Sequence, residues 1–422
     1  MSLQGVPPAS ARASALAPFA VKSFRYQWPA DLTTSWAFEM ETLILGWYVL
    51  VETKSVFMLT VFASLLYVGT LLAPMFGVMG DRIGHRNLLS AMRGIYATCA
   101  TTLMIFAYTG VMTPVHVLII AAIMGLVRPS DIGMRAALVG ETMPTERLVG
   151  AMGIQRTTQD TAKIAGALSG AGLVAFLGIG PAYTVVASLY VVSVLLTLRA
   201  GNARPTHLPD PGAGVSPWRD LKVGISYVWS TPHLLAVMCI AFLLNLTAFP
   251  LMNGLLPYVV KEVYGAGQTT LGYMAAGAAL GALTSSIMLS RFGHAIRPAR
   301  TMIFGAVTWY IMLIVFAHTP EPHGGWLVLT LAGFAHSVSQ VPMAAMLLRN
   351  SDAQYRGRIM GIRMLAIYGN MPGLLLSGPL IAKFGYPVTA TLYCLFALTF
   401  ILLIVVQWRA HLWRLDAPSN RL

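Results

Sequence analysis

The stretch GVMGDRIGHR, Gly77 to Arg86, places three glycines and three charged side chains in ten residues, in a chain that is 56% hydrophobic and only 10% charged. Such a segment must be a loop between apolar elements, so its meaning depends on what flanks it. With 422 residues and so few charges, the chain cannot clothe a water-soluble globule of its size. Crossing a bilayer takes roughly 20 apolar residues, and the sequence supplies about twelve such runs. Their cores fall near Pro29–Val51, Val56–Met79, Leu88–Tyr108, Val115–Leu138, Ala151–Leu177 and Ala182–Leu198, followed by six more that begin near Leu234, Leu271, Thr301, Trp326, Met360 and Val388. The short alternating strands of a β-barrel are not seen. An all-α membrane protein of twelve helices is expected.

The formal charge of +13 sits in alternate loops. Lys22 and Arg25 precede the first span, Arg82 and Arg86 follow the second, and Arg147 follows the fourth. Arg199, Arg204, Arg219 and Lys222 follow the sixth, Arg291, Arg297 and Arg300 the eighth, Arg356 and Arg358 the tenth, and Arg409 and Arg414 the last. The intervening loops hold little beyond Lys54, Lys261 and Lys383. This asymmetry places both termini in the cytoplasm. A nucleic-acid face would gather its charge with aromatic residues in one module, so no nucleic-acid partner is expected. Residues 1–26 lack the apolar core and cleavage site of a signal peptide and read as a cytoplasmic tail, as do residues 409–422. Cys99, Cys239 and Cys394 lie far apart inside spans, and the 23 methionines form no cluster with histidine, so neither disulfides nor a metal site is expected.

A Pro- and Gly-rich polar segment within 200–232 divides the chain into halves, 27–199 and 233–408. The halves repeat: GLVRPSDIGMRAAL from Gly125 aligns with GFAHSVSQVPMAAM from Gly333, and MGI recurs at Met152 and Met360 with the same shift. DRIGH from Asp81 is echoed more weakly by SRFGH from Ser290. Two six-helix halves related along the membrane normal are a transporter plan.

In that setting the opening stretch resembles the G-x-x-x-D-R-x-G-x-R loop of the major facilitator superfamily, lying where that loop lies, between spans two and three. METLILGWYVLVETKS, PTERLVGAMG and YRGRIMGIR look most like the branch of bacterial enterobactin exporters and macrolide efflux proteins. The resemblance implies the major facilitator fold and a gating latch at the inner mouth, formed by Gly77, Asp81, Arg82 and Arg86. Gly77 would let spans two and eleven pack closely, and Asp81 would face the positive N-terminal end of span eleven. Arg86 alone would serve equally as a membrane anchor. Ser290 stands where the first copy has Asp81, so the latch is expected on one side only. One departure is GALSGAG from Gly166, which lacks the proline that many drug antiporters of the superfamily carry in span five.

Charges inside spans cost roughly 2.5–3.5 kcal/mol each at a helix centre and mark function. Span one carries Glu39 and Glu41, span four Arg128, Asp131 and Arg135, and span five Arg156, Asp160 and Lys163. The triads are spaced to lie along one helix face each. Arg135 and Arg156 serve equally as structural ion pairs, whereas Arg128, Asp160 and Lys163 fall near the midplane, where substrate and ion sites gather. In the second half His336, at the repeat position of Arg128, joins Gln340 and Asn245 as candidates for substrate binding with Arg128 and Lys163. Glu39, Glu41, Asp131 and Asp160 are the candidates for proton coupling. Walker-type phosphate loops and nucleophile–base arrangements are not found, so direct ATP use and enzymatic chemistry are not expected, and neither is a cofactor.

The expected protein is a monomeric transporter in a bacterial inner membrane, exporting a small amphiphilic molecule, siderophore-like or drug-like, against protons. Proton-coupled uptake of an organic anion and a non-transporting receptor or assembly factor are the alternatives. The alternating basic loops make a direct prediction: reporter fusions after Arg86, Arg204 and Arg414 should all report cytoplasm. A periplasmic signal at any of the three overturns the orientation.

Overall fold

The computed structural model describes residues 17–201, 217–292, 296–349 and 356–414. Among these residues every regular element is helical. That follows from the bilayer, where each backbone N–H and C=O must be satisfied inside its own segment.

The first half comprises α1 (Lys22–Thr53), α2 (Val56–Leu65) continuing through a short 3-10 turn into α3 (Ala73–Ile83), α4 (His85–Thr109), α5 (Pro114–Thr142), α6 (Thr145–Leu177) and α7 (Ile179–Arg199). Helix α8 (Pro217–Ser230) leads into the second half. There α9 (Pro232–Phe249) runs through π-helical turns flanking the single turn α10 (Leu256–Tyr258). Then follow α11 (Gln268–Phe292), α12 (Pro298–Ala317), α13 (Pro322–Arg349), α14 (Arg356–Ala366), α15 (Asn370–Phe384) and α16 (Tyr386–Arg414). Among the described residues, ten helical segments are long and apolar enough to cross a membrane. The polar α1 and the broken α2–α3 pair, with its apolar run Val56–Leu72, complete the twelve-span plan.

Helical elements extend into the segments expected from sequence to be tails and linker. Helical order starts at Ala17, α16 continues to Arg414, and α8 occupies much of the expected linker, with Val228 buried against the second half. Residues 1–16, 202–216 and 415–422 of those segments lie outside the described residues.

Each half has its own apolar core. One is built from α1, α2 and α4 to α7 around Tyr96, Tyr183 and Tyr190. The other is built from α9 to α16 around Trp309 and Tyr310, and Leu43 and Ala167 of the first half join it. Large apolar side chains such as Phe176, Phe304 and Leu402 point outward, where lipid replaces water as the surrounding medium.

The sequence repeat has a steric meaning. A Cβ on Gly125 of α5 would collide with the Leu65 carbonyl at the end of α2, and one on its counterpart Gly333 of α13 with the Ala278 carbonyl of α11. Both halves therefore cross two helices with backbone against backbone, the close approach that small residues permit in membranes. Gly178 and Gly385 form matching one-residue turns, α6 to α7 and α15 to α16, with φ of 85° and 79°. That left-handed backbone is where glycine is preferred.

The halves touch mainly at one end. Gly272 of α11 packs on Ala167 and Ala171 of α6, and Gly378 of α15 packs on Phe57 and Thr60 of α2. These contacts lie toward the end where α1 turns into α2. At the other end, where the described residues begin at Ala17 and end at Arg414, they share no comparable packing between halves, and Arg156 and Lys163 of α6 are exposed rather than covered by the second half, so a gap is left there.

The glycine crossings yield a stability prediction. Gly125→Ala and Gly333→Ala should each cost on the order of 1–3 kcal/mol, because neighbouring backbone must move. Gly133→Ala meets nothing within 4 Å and should be neutral or gain about 0.5–1 kcal/mol. Thermal unfolding of the purified protein in detergent distinguishes these; equal effects at all three positions would refute the steric account.

Candidate functional site

The densest buried chemistry is in the first half, in the third of the bundle nearest the termini. Arg93 of α4 is fully buried and pairs with Asp31 of α1. Its other guanidinium arm donates to Thr197 Oγ1 of α7, and Asp131 Oδ1 of α5 lies 4.0 Å from its Nε. Asp131 pairs within its own helix with Arg135, whose Nε is also 3.8 Å from Asp31 Oδ1. Arg135 donates to Ser35 Oγ at 2.6 Å, and Gln155 Nε2 of α6 donates to the second oxygen of Asp31 at 3.1 Å. Five helices thus meet on two arginines and two aspartates. Burying those charges is tolerable only because each is paired, and losing one partner would strand another.

Nearer the middle of the bundle, Glu41 of α1 is buried with its carboxylate facing α7. Tyr190 donates to Oε2 at 2.8 Å and Tyr183 to Oε1 at 3.4 Å. A small cavity between α1, α2 and α5 adjoins it, lined by Glu41, Thr42, Phe62, Met124 and Arg128 among others. Arg128 donates to Thr42 Oγ1 at 2.9 Å and stacks its guanidinium 4.5 Å from the centre of the Phe38 ring. Glu39, two residues from Glu41, points away from it: its Cβ lies against Gly166 of α6. The opposed directions expected from helix geometry are what is found.

The α5 triad divides, with Asp131 and Arg135 in the cluster and Arg128 at the cavity. In α6, Asp160 is buried and pairs with Arg156 at 3.3 Å. Lys163 is exposed and makes no ion pair with it. Lys163 precedes Ala167 by four residues, so both lie on one helix face. That face reaches Gly272 of α11 at Ala167 and Ala171. Toward the termini the same face lines the open gap, which is where Lys163 and Arg156 stand.

Across the gap His336 packs its ring against Phe249 and Trp309, with centroids 5.1 and 4.6 Å away. Gln340, one turn further, accepts from Arg363 of α14 at 3.4 Å. Asn245 is buried away from this group, accepting from Asn370 at 2.9 Å and so joining α9 to α15.

Of the expected latch, Gly77 has open space around it and Arg82 is exposed. Arg86 reaches the Ala200 carbonyl after α7 at 3.4 Å, and the side chain of Asp81 lies outside the described residues. With the halves apart at this end, the close packing of Gly77 is not made in this conformation. Within the same motif His85 bonds Glu141 of α5 at 2.6 Å, a contact the sequence reading passed over. Asp31 and Arg93 were also passed over. Their signal was a lone charge inside an apolar run, without a partner at helical spacing.

Two helical halves, each with its own core and parted by a charged gap, define an integral membrane transporter of the two-half kind. The chain belongs to the Major Facilitator Superfamily, whose sequence model matches residues 32–369. Among relatives, a Multidrug resistance protein MdtG of Salmonella paratyphi C (strain RKS4594) is 22% identical over 272 residues, 64% of this chain and 65% of that protein. A second MdtG, of Dickeya zeae (strain Ech586), is 25% identical over 250 residues, 58% of this chain and 59% of that protein. The alignments therefore span somewhat under two thirds of these relatives. A crystal structure of a point mutant of the nucleoside transporter NupG superposes with a TM-score of 0.72 at 14% identity, covering 92% of this chain and all of that one. The last likeness is one of fold.

The buried cluster makes its own prediction. Arg93→Met should destabilise the protein by about 3–5 kcal/mol, because the aspartates lose their buried counter-charge. Combining it with Asp31→Asn should recover part of that loss, with a coupling of about 0.5–3 kcal/mol. Strictly additive losses in thermal melts would show that the two side chains do not act as a pair.

Proposed function

We propose that this chain is a secondary active exporter that carries a small amphiphilic organic molecule, drug-like or siderophore-like, out of a bacterial cytoplasm in exchange for protons. The observation that supports it most is the gap between the halves, open at the terminal end and walled by both charged and aromatic side chains. Both termini would be cytoplasmic, because the basic loops lie at that end, and the chain would act as a monomer in the inner membrane. Kinship with proteins named for multidrug resistance supports outward transport.

In this reading the structure is the inward-open state. Substrate enters from the cytoplasm, the terminal ends close, and the contacts of α6 with α11 and α2 with α15 part to release it outside. Closing the inner mouth would bring Gly77 and Asp81 toward the start of span eleven, forming the latch with Arg82 and Arg86.

Glu41 would carry the proton. Its carboxylate sits beside a cavity and is held by two tyrosines rather than a cation within ion-pair distance. Alternating access would change its hydration, and proton affinity follows hydration. Asp131 and Asp160, each held by an arginine, would keep the basic residues in place. Glu39 is the second candidate for the carrier, at the α1–α6 contact.

The test uses proteoliposomes loaded with a fluorescent drug panel. The wild type should move drug outward when a proton gradient is imposed and should exchange drug without one. Glu41→Gln should lose gradient-driven movement by at least about tenfold while retaining exchange, the expectation for a group that couples rather than binds. Full gradient-driven transport in that variant would eliminate Glu41. Accumulation on the inside would reverse the direction to uptake.

A further inference from the structure

The gap holds an imbalance that the export reading alone does not require. In α6 the positive charge of Arg156 is matched by Asp160. One turn deeper, Lys163 is exposed and, among the described residues, has no carboxylate within 4 Å. On the opposite wall Arg363 likewise has no carboxylate within 4 Å among the described residues, and it donates instead to the neutral Gln340. In α1 the Cβ of Glu39 lies at the contact with Gly166, and Glu41 is bonded by tyrosines behind that helix.

The two walls carry charge of like sign. Lys163 stands on the face of α6 that meets α11 one turn further along, and Arg363, bonded to Gln340 one turn from His336, stands on the wall of the second half. Both cations border the space that must narrow when the inner mouth shuts. In a site shielded from water such repulsion is strong, and it opposes closure unless something negative lies between.

Beside these cations is an aromatic surface. Phe249 and His336 are half-buried at the gap, and Trp309 is fully buried behind them, holding both rings edge-on or tilted. Polar and apolar recognition thus stand side by side on one wall, with a second cation facing them from the other.

We propose that the transported molecule is an amphiphilic organic anion, its acidic group held between Lys163 of one half and Arg363 of the other and its ring or apolar body laid on Phe249 and His336. This rests on the transport reading above and names its substrate class. The anion would bond with both walls and remove the repulsion between them, so occupancy itself would favour closure of the inner mouth. Neutral molecules of the same shape would bind the aromatic wall without relieving the charge. Cations would add to the repulsion.

Three probes sharing one aromatic body separate these cases: naphthoate, naphthalenemethanol and naphthylmethylammonium, measured by equilibrium dialysis against the full chain in detergent. Naphthoate should bind at least about tenfold more tightly than the alcohol, and the ammonium more weakly than either. Lys163→Gln and Arg363→Gln should each reduce naphthoate affinity by about tenfold and leave the alcohol unchanged. Lys163→Arg should keep most of the naphthoate affinity, which a general loss of folding would not allow. Phe249→Ala should weaken naphthoate and the alcohol alike. The proposal is overturned if the ammonium binds as tightly as naphthoate, if both Gln variants bind naphthoate as the wild type does, or if none of the probes binds. Naphthoate that binds in the expected pattern but is never moved by proteoliposomes would defeat the export reading and leave the anion site standing.

Discussion

The ion cluster of Asp31, Arg93, Asp131 and Arg135 is the interaction on which the first half depends. Hydrophobic driving force cannot distinguish one helix face from another in lipid, because the surrounding chains are as apolar as leucine. Charges can, since a misplaced one is left unpaired in a medium that does not solvate it. Arg93 reaches α1, α5 and α7 at once, and Asp31 adds α6 through Gln155. The cluster therefore fixes the angular setting of five helices about their axes. Once those settings are fixed, Glu41 faces Tyr183 and Tyr190, and Arg128 is left at the cavity.

The second half achieves its rigidity with weaker means. Thr247 meets Tyr310 at 2.6 Å and Asn370 donates to Asn245, both neutral contacts. Its larger core, centred on Trp309 and Tyr310, supplies the rest through packing. The asymmetry has a consequence for motion. Each half can move as a body because its internal contacts are either charged and buried or closely packed, whereas the contacts between halves at the closed end are made by Gly272, Ala167, Ala171 and Gly378. Small residues carry little interlocking side chain, so these surfaces can part without extracting large groups from pockets.

Span number, the two-half division and the family were legible in the sequence, because each is written locally: in runs of apolar residues, in alternating basic loops, in a motif of ten residues and in a repeat at constant shift. The within-helix pairs Asp131–Arg135 and Arg156–Asp160 were legible too, since four-residue spacing brings side chains together on any helix. Partnership between distant segments was not. Asp31 and Arg93 stand 62 positions apart, and nothing in either neighbourhood points to the other. Lys163 stands three residues from Asp160, yet that spacing does not produce a pair, and the side chain is exposed instead. Helix α8 was hidden by the Pro- and Gly-rich stretch before it, which made the whole segment look like a linker. Its burial against the second half depends on a surface that exists only after that half has folded.

In the proposed exchange of substrate for protons, the division of labour between acids would follow from the same geometry. A residue that couples proton flow to motion must change its surroundings as the halves move, whereas one that holds structure must keep them. Asp31 and Asp131 lie inside a single half, surrounded by partners from that half, so rocking the halves leaves them as they are. Asp160 is tied to Arg156 on its own helix, a partner that rigid-body rocking would leave in place. Glu41 differs in being next to a cavity, on the helix α1 that packs against both α6 and the inter-half contacts around Leu43. Its neighbour Thr42 already holds Arg128. Rocking the halves would keep Arg128 on Thr42 but would change the water that reaches the cavity beside the Glu41 carboxylate, and proton affinity follows hydration. Coupling at this position would therefore need no proton wire across the protein, only a change in the hydration of one cavity.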